Sequence, residues 1–168
     1  GLKVVELLAD LAAVVPGRPV DDDCTVLLRY DNGARGVLLA SQIEVGEMNG
    51  LRIRVYGDKG GLEWGQENPN QLWFTPFGEP KRLLTRNGAG VGPEAQRVSR
   101  IPGGHPEGYL EAFATIYTEA AQAIRAHQAG LPAPEGVIYP TLADGLKGMR
   151  FVEACVQSAR RNSGWVTL

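Results

Sequence analysis

His105 and His127 are the only histidines in this 168-residue chain. His105 stands in the stretch Gly103-Gly104-His105-Pro106-Glu107, just ahead of an amphipathic run. Pro106 suits the first helical position, with Glu107 beside it, so the spacing places His105 at a helix N-cap. Histidine is a poor cap by residue type. The positive end of a helix also disfavours the imidazolium, which leaves a neutral ring able to donate or accept a hydrogen bond. Two readings stay open from the residues alone: a loop side chain satisfying local bonds, or one aimed at a ligand. His127, in Arg-Ala-His-Gln-Ala-Gly, sits near a helix C-terminus, where positive charge suits the dipole, and it takes no chemical role. Cys24 and Cys155 have neither metal-ligand spacing nor a disulfide framework around them. Two buried free thiols in a reducing cytoplasm are the expectation, and no metal site is expected. Gly88, Gly90 and Gly92 do not have the spacing of a G-x-G-x-x-G turn, so they offer no phosphate cradle.

The elements that must carry these residues follow from periodicity. Residues 3–15 satisfy two patterns at once. Val4, Leu7, Leu8, Leu11 and Val14 form a helical stripe, while Val5, Leu7, Ala9, Leu11, Ala13 and Val15 alternate as in a strand. Taken alone, the periodicity leans to helix. Then come two β-rich runs around Asn32-Gly33, a pair suited to a type I′ turn, and a second such unit around Gly57 to Gly61. "NQLWFT" and "PKRLLTR" add two shorter strands. Six hairpin-linked strands imply a largely antiparallel sheet. Leu51, Ile53 and Val55 share one face of it, and Arg52 and Arg54 point to the other, half-solvated face. Trp64 and Trp73, on neighbouring strands, suit a core or an interface.

Residues 87–104 read as an irregular, glycine-rich loop, long enough to suggest a function. A helix follows, with Leu110, Phe113, Ala114, Tyr117, Ala121 and Ile124 as its buried face; Gly130 ends it. A second helix is expected from Pro140 to about Asn162, burying Leu142, Leu146, Met149, Val152, Val156 and Ala159. Gly145 and Gly148 on it suggest close backbone packing. "GWVTL" closes the chain as a short strand.

Composition narrows the partners. The formal net charge is −2, from 17 basic and 19 acidic residues, with no basic stripe for nucleic acid. No apolar run approaches the roughly 20 residues of a membrane span, and no repeat or linker divides the chain.

Four segments, "NGARGVLLASQ", "NGLRIRVYGDKGGLEW", "GHPEGYLEAF" and "DGLKGMRFVEACVQSARRNSGWVTL", together resemble the C-terminal domain of the Gfo/Idh/MocA oxidoreductases. This is the family of glucose–fructose oxidoreductase and inositol dehydrogenase. The similarity runs in family order from about Leu2 to Leu168, essentially the whole chain. It implies an α+β domain: a large open, mostly antiparallel sheet with helices packed on one face. It also implies a strand, not a helix, over the ambiguous first segment. In such enzymes this domain supplies the substrate pocket, and its open sheet face forms the subunit contact, so a homo-oligomer is expected.

The family binds NAD or NADP through an N-terminal Rossmann domain, whose E-K-P motif holds the catalytic lysine. Neither feature is present: Lys59 lies in a D-K-G turn, and Lys3, Lys81 and Lys147 lack that context. The chain, residues 1–168, is therefore expected to be a single domain cut from a two-domain enzyme. By itself it would hold no catalytic or cofactor-binding residue and would be inert. The resemblance places "GHPEGY" beside the substrate cleft, which makes His105 a substrate-side contact. Gln42, Asn49 and Tyr109 are the other candidates for binding a sugar, cyclitol or related polyol. The competing class is a non-catalytic sheet module that oligomerises or binds a partner.

Overall fold

The computed structural model describes residues 1–168. In chain order the elements are β1 (Val4–Ala12), β2 (Asp23–Tyr30), β3 (Arg35–Ser41), β4 (Arg52–Gly57), β5 (Gly60–Gly65), β6 (Gln71–Pro76), β7 (Arg82–Thr85), α1 (Pro93–Val98), α2 (Tyr109–Gln128), α3 (Leu142–Arg160) and β8 (Val166–Thr167). The class is α+β, and every strand pairing is antiparallel. The strands do not make the one large sheet expected; they pair as two four-stranded sheets, ordered β3-β2-β1-β8 and β4-β5-β6-β7. The chain accordingly divides into two compact units, Gly1–Gly46 with Pro140–Leu168, and Glu47–Tyr139.

In the first unit, strand geometry prevails over helix propensity at β1, as the resemblance implied. Leu7 and Ala9 lie opposite Leu28 and Val26 and are fully buried. Ala154, Cys155 and Val166 complete this core. Helix α3 meets the sheet through Ala154, Cys155 and Ser158, one turn apart on a single face. β8 covers the outer edge of β1 only at Glu6 and Leu7. At Ala9 the helix takes over: Ser158 Oγ accepts the Ala9 N–H at 2.8 Å and donates to the Gly164 carbonyl at 2.7 Å. Asp22 is buried too, accepting the Val14 and Val15 amides at 2.7 and 3.0 Å and pairing with Arg18. Those amides, outweighing its desolvation, hold its carboxyl below the usual range. Cys155 is buried and Cys24 partly so, and both thiols are free. Burial pushes the Cys155 thiol up to about 11.

The expected buried stripe of α3 is not the observed one. Leu142, Leu146, Met149 and Val152 are exposed, and no atom approaches a Cβ built on Gly145 or Gly148. The sheet takes the small residues instead, because only they let a helix lie close enough for Ser158 to reach the backbone of β1. The helix starts at Leu142 rather than Pro140, since Thr141 and Asp144 form a reciprocal capping box. The Asn32-Gly33 turn is not type I′. Only Gly33 has a positive φ, and Asp31, Asn32 and Gly33 form a three-residue loop closed by Tyr30 N–H to Ala34 O.

In the second unit, β4 to β7 form a meander. Ile53 and Val55 lie opposite Trp64 and Leu62, so they share one face, and Arg52 and Arg54 share the other. Trp64 donates its indole N–H to the Pro69 carbonyl, and Trp73 packs under the Lys81 ammonium. Lys59 sits in the β4–β5 turn, where Gly60 (φ 154°) is required: a Cβ there would come within 2.4 Å of the Thr75 carbonyl oxygen. The 87–104 segment is not wholly irregular, since it contains α1.

Helix α2 ends as expected, with Gly130 in the left-handed region just past Ala129. Its orientation is the reverse of the expectation. Leu110 and Tyr117 are 76% and 71% exposed, and Phe113 and Ile124 are also exposed, whereas Glu119 is buried. The polar face is the one bonded to its own unit. Glu119 pairs with Arg97 and accepts the Ile138 N–H at 2.9 Å, and Thr115 and Thr118 receive the Arg100 guanidinium.

Candidate functional site

A cleft of about 450 Å³ opens in the second unit, between residues 67–71, leading into β6, and residues 106–111, leading into α2. Its walls approach so closely that a Cβ on Gly108 would meet the Pro69 ring at 2.8 Å. Gly108, not His105, is the residue preceding α2. The helix starts three residues later than its proline suggests because the first-turn bond is made there: Glu111 accepts the Gly108 N–H at 2.8 Å. That amide, together with Glu111's own and the nearby Arg100 and Arg86 charges, holds the Glu111 carboxyl below its ordinary range.

Arg86, just after β7, organises the segment that enters the cleft. Its guanidinium donates to Asn70 Oδ1 (2.8 Å) and to the carbonyls of Ile101 (2.5 Å), Pro102 (3.2 Å) and His105 (2.7 Å). It also pairs with Glu107 at 2.6 Å, with 15% and 5% of the two side chains exposed. Glu107 in turn accepts the Arg100 and Ile101 amides at 2.6 and 3.2 Å. Five donors in a fixed fork suit arginine to gathering several carbonyls at once. One residue thus ties the β6 approach to the whole 101–107 turn.

The four candidate residues fall differently. Tyr109 lines the cleft, 64% exposed, its ring tilted against Phe113 at 4.9 Å between centroids. Asn49 is exposed next to Gly50, whose N–H donates to Glu67 Oε1 at 3.3 Å, so its loop is tethered to a residue of the cleft wall. His105 does not line the cleft and does not cap the helix. Its amide donates to the Pro102 carbonyl and its own carbonyl accepts from Arg86, and the residue is exposed next to Pro106 of the cleft wall. Gln42 belongs to the other unit, exposed after β3, with its N–H on the Asp22 carbonyl at 2.8 Å.

Sequence reasoning missed Arg86, Asn70, Glu107 and Glu111. For Glu111 a signal existed: a glutamate three residues past Gly108, at the position that reaches back to a cap amide. For Arg86 there was none, because its five partners span residues 70 to 107.

Chemically the cleft offers neutral donors and acceptors on Asn68 and Gln71, a phenol, and part-free carboxylates on Glu67 and Glu111. No group of three or more metal-ligating side chains is assembled anywhere. The Glu107 carboxylate is consumed by its arginine and amides. This set can bind and orient hydroxyl groups.

Comparison with known proteins gives a consistent picture. The family model described as "Oxidoreductase family, C-terminal alpha/beta domain" (GFO_IDH_MocA_C) matches residues 3–168. The uncharacterized oxidoreductase YfiI of Bacillus subtilis (strain 168) is 37% identical over 167 residues, covering 98% of this chain and 42% of that protein. Among solved structures, an oxidoreductase from Sinorhizobium meliloti is 58% identical with a TM-score of 0.93, over 98% of this chain and 46% of that one. An inositol dehydrogenase homolog from Azotobacter vinelandii, complexed with NADH and myo-inositol, is 37% identical with the same TM-score, over 99% and 45%. The chain spans less than half the length of these relatives. No helix is long and apolar enough to cross a membrane.

Proposed function

The chain belongs to the Gfo/Idh/MocA oxidoreductase family, as its C-terminal α/β domain, and on that premise we propose that it is the substrate-binding and subunit-contact part of an NAD(P)-dependent dehydrogenase acting on a sugar, cyclitol or related polyol. The observation that carries this reading is the cleft at the start of α2. A polyol presents many hydroxyls and no charge, and it is matched by neutral amides, a phenol and the carboxylate acceptors of Glu67 and Glu111 around an aromatic edge. The NADH and myo-inositol held by the Azotobacter homolog agree with this class of ligand.

In this reading Tyr109 and Asn49 contact substrate hydroxyls. His105, next to the cleft residue Pro106 and with its backbone fixed by Arg86, is a further candidate contact. The antiparallel pairing of every strand supports placing the nicotinamide elsewhere, because a pyrophosphate is ordinarily received by a parallel βαβ unit with a glycine-rich turn. We assign cofactor and hydride chemistry to a part of the enzyme outside these residues, in the cytoplasm. This chain's share is to bind and orient the alcohol.

Subunit contact is assigned to the apolar sheet face of Ile53 and Val55, which stand 57% and 53% exposed. Light scattering is expected to return a mass above that of one chain, and a clean monomer would remove this part of the reading. The principal test is a sugar and polyol screen with NAD and NADP on the full-length enzyme. At least one cyclic polyol should be oxidised, and Tyr109→Phe should raise KM for it more than it lowers kcat. Absence of turnover with any polyol, or an unchanged KM in the variant, contradicts the assignment.

A further inference from the structure

We propose that a second cleft, on the polar face of α2, is a small-molecule site for a hydroxy-carboxylate carrying a single negative charge. It measures about 310 Å³ and lies between the middle turns of α2 and the loop at residues 135–137, with the Arg97 and Arg100 side chains entering from α1 and just beyond it. All of it lies within the second unit.

The inference rests on the state of Arg100. Its Nε donates to Thr115 Oγ1 at 3.1 Å and its Nη2 to Thr118 Oγ1 at 2.9 Å. Both threonine hydroxyls give their own protons to the helix, to the Glu111 carbonyl at 2.9 Å and the Ala114 carbonyl at 2.7 Å. They therefore face the guanidinium purely as acceptors. Two neutral oxygens hold the inner edge of the fork, and its outer edge, between Nη1 and Nη2, remains open. The neighbouring carboxylate is already neutralised, because Glu119 is held by Arg97 and by the Ile138 amide. Arg100 makes no ion pair of its own, whereas Arg86 and Arg97 both do. An arginine clamped on uncharged partners, with its bidentate edge free, is pre-organised for a planar anion.

The rest of the lining selects among anions. Gln122, one turn beyond Thr118, brings an amide donor and acceptor for a hydroxyl. Glu135 lines the other wall, so a second negative charge on the ligand meets repulsion. One fork, one amide and one opposing carboxylate suit a monoanionic carboxylate with a hydroxyl beside it, and disfavour a phosphate dianion. The site does not depend on the dehydrogenase reading.

The test is an NMR titration of the chain with sodium lactate, with inorganic phosphate and glycerol in parallel at matched ionic strength. Lactate should shift the Arg100 Nε–Hε and Gln122 side-chain signals saturably, with half-saturation in the millimolar range. Arg100→Gln should weaken this at least about tenfold while leaving the remainder of the amide spectrum in place. Arg100→Lys, which keeps charge but loses the fork, should fall between. Absence of saturable shifts, equal binding of phosphate or glycerol, or undiminished binding by Arg100→Gln each overturns the proposal.

Discussion

Replacing Arg86 by methionine tests whether the candidate cleft is held together by one side chain. Methionine keeps an unbranched stem and removes the guanidinium, leaving Glu107 buried without its counter-ion and three carbonyls without their donor. Breaking a buried pair from one side costs about 3–5 kcal/mol. Glu107 keeps the Arg100 and Ile101 amides, which argues for the lower end, about 3 kcal/mol. For a chain of this size that corresponds to a fall in Tm of roughly 6–12 °C. The assay is thermal and urea unfolding of four proteins: wild type, Arg86→Met, Glu107→Gln and the double variant. Because the double variant buries no unpaired charge, it should lose less than the sum of the singles, with a coupling of about 1–3 kcal/mol. Strictly additive losses, or a single-variant loss under about 1 kcal/mol, would refute the view of Arg86 as the organiser of the 101–107 turn.

Three further outcomes are expected. Ser158→Ala strips the buried Ala9 N–H of its acceptor, at about 1–3 kcal/mol, offset by about 0.5 kcal/mol of better helix propensity; a variant as stable as wild type in urea would show that the bond does nothing. The Thr141 and Lys147 contacts lower Asp144 from 3.8 to about 2. A depressed carboxylate contributes stability that is present above its unfolded pKa and lost as pH falls through the folded one. The wild type should therefore weaken between about pH 4 and pH 2 relative to Asp144→Asn, and parallel acid limbs in far-UV CD would contradict this. Calorimetric titration of the 168-residue chain with NADH should show no binding tighter than millimolar, and a micromolar isotherm would place a cofactor site within these residues.

The strands were legible in the sequence because alternation and turn residues are local signals. β2 to β7 are short runs rich in Val, Leu, Ile and aromatic residues, bounded by Asn, Asp, Gly and Pro, and β4 alternates strictly. β1 was not legible by itself, since Leu7, Leu8 and Leu11 satisfy both periods; pairing with β2 decided it. The helices were found, yet their faces were misassigned. Periodicity locates the apolar stripe on α2, from Leu110 to Ile124, but says nothing about what meets it. Its polar stripe holds bonds to Arg97 and Arg100, contributed from well outside the helix, and no helical period encodes such bonds. The site divides along the same line. Tyr109 was visible as an aromatic at the start of a helix, while Arg86 acts through carbonyls distant in sequence.

The Ser158 contact with Ala9 has a consequence for the company this chain keeps. A strand with a free flank is a template on which another chain can add, and such growth ends in fibrous aggregates. β8 is only two residues long and covers little of that flank. A single hydroxyl from a helix blocks the next docking position, so the sheet is terminated by a side chain where another strand could have continued it. Loss of that hydroxyl should thus be felt in the test tube as turbidity at high concentration, beyond any change in melting temperature.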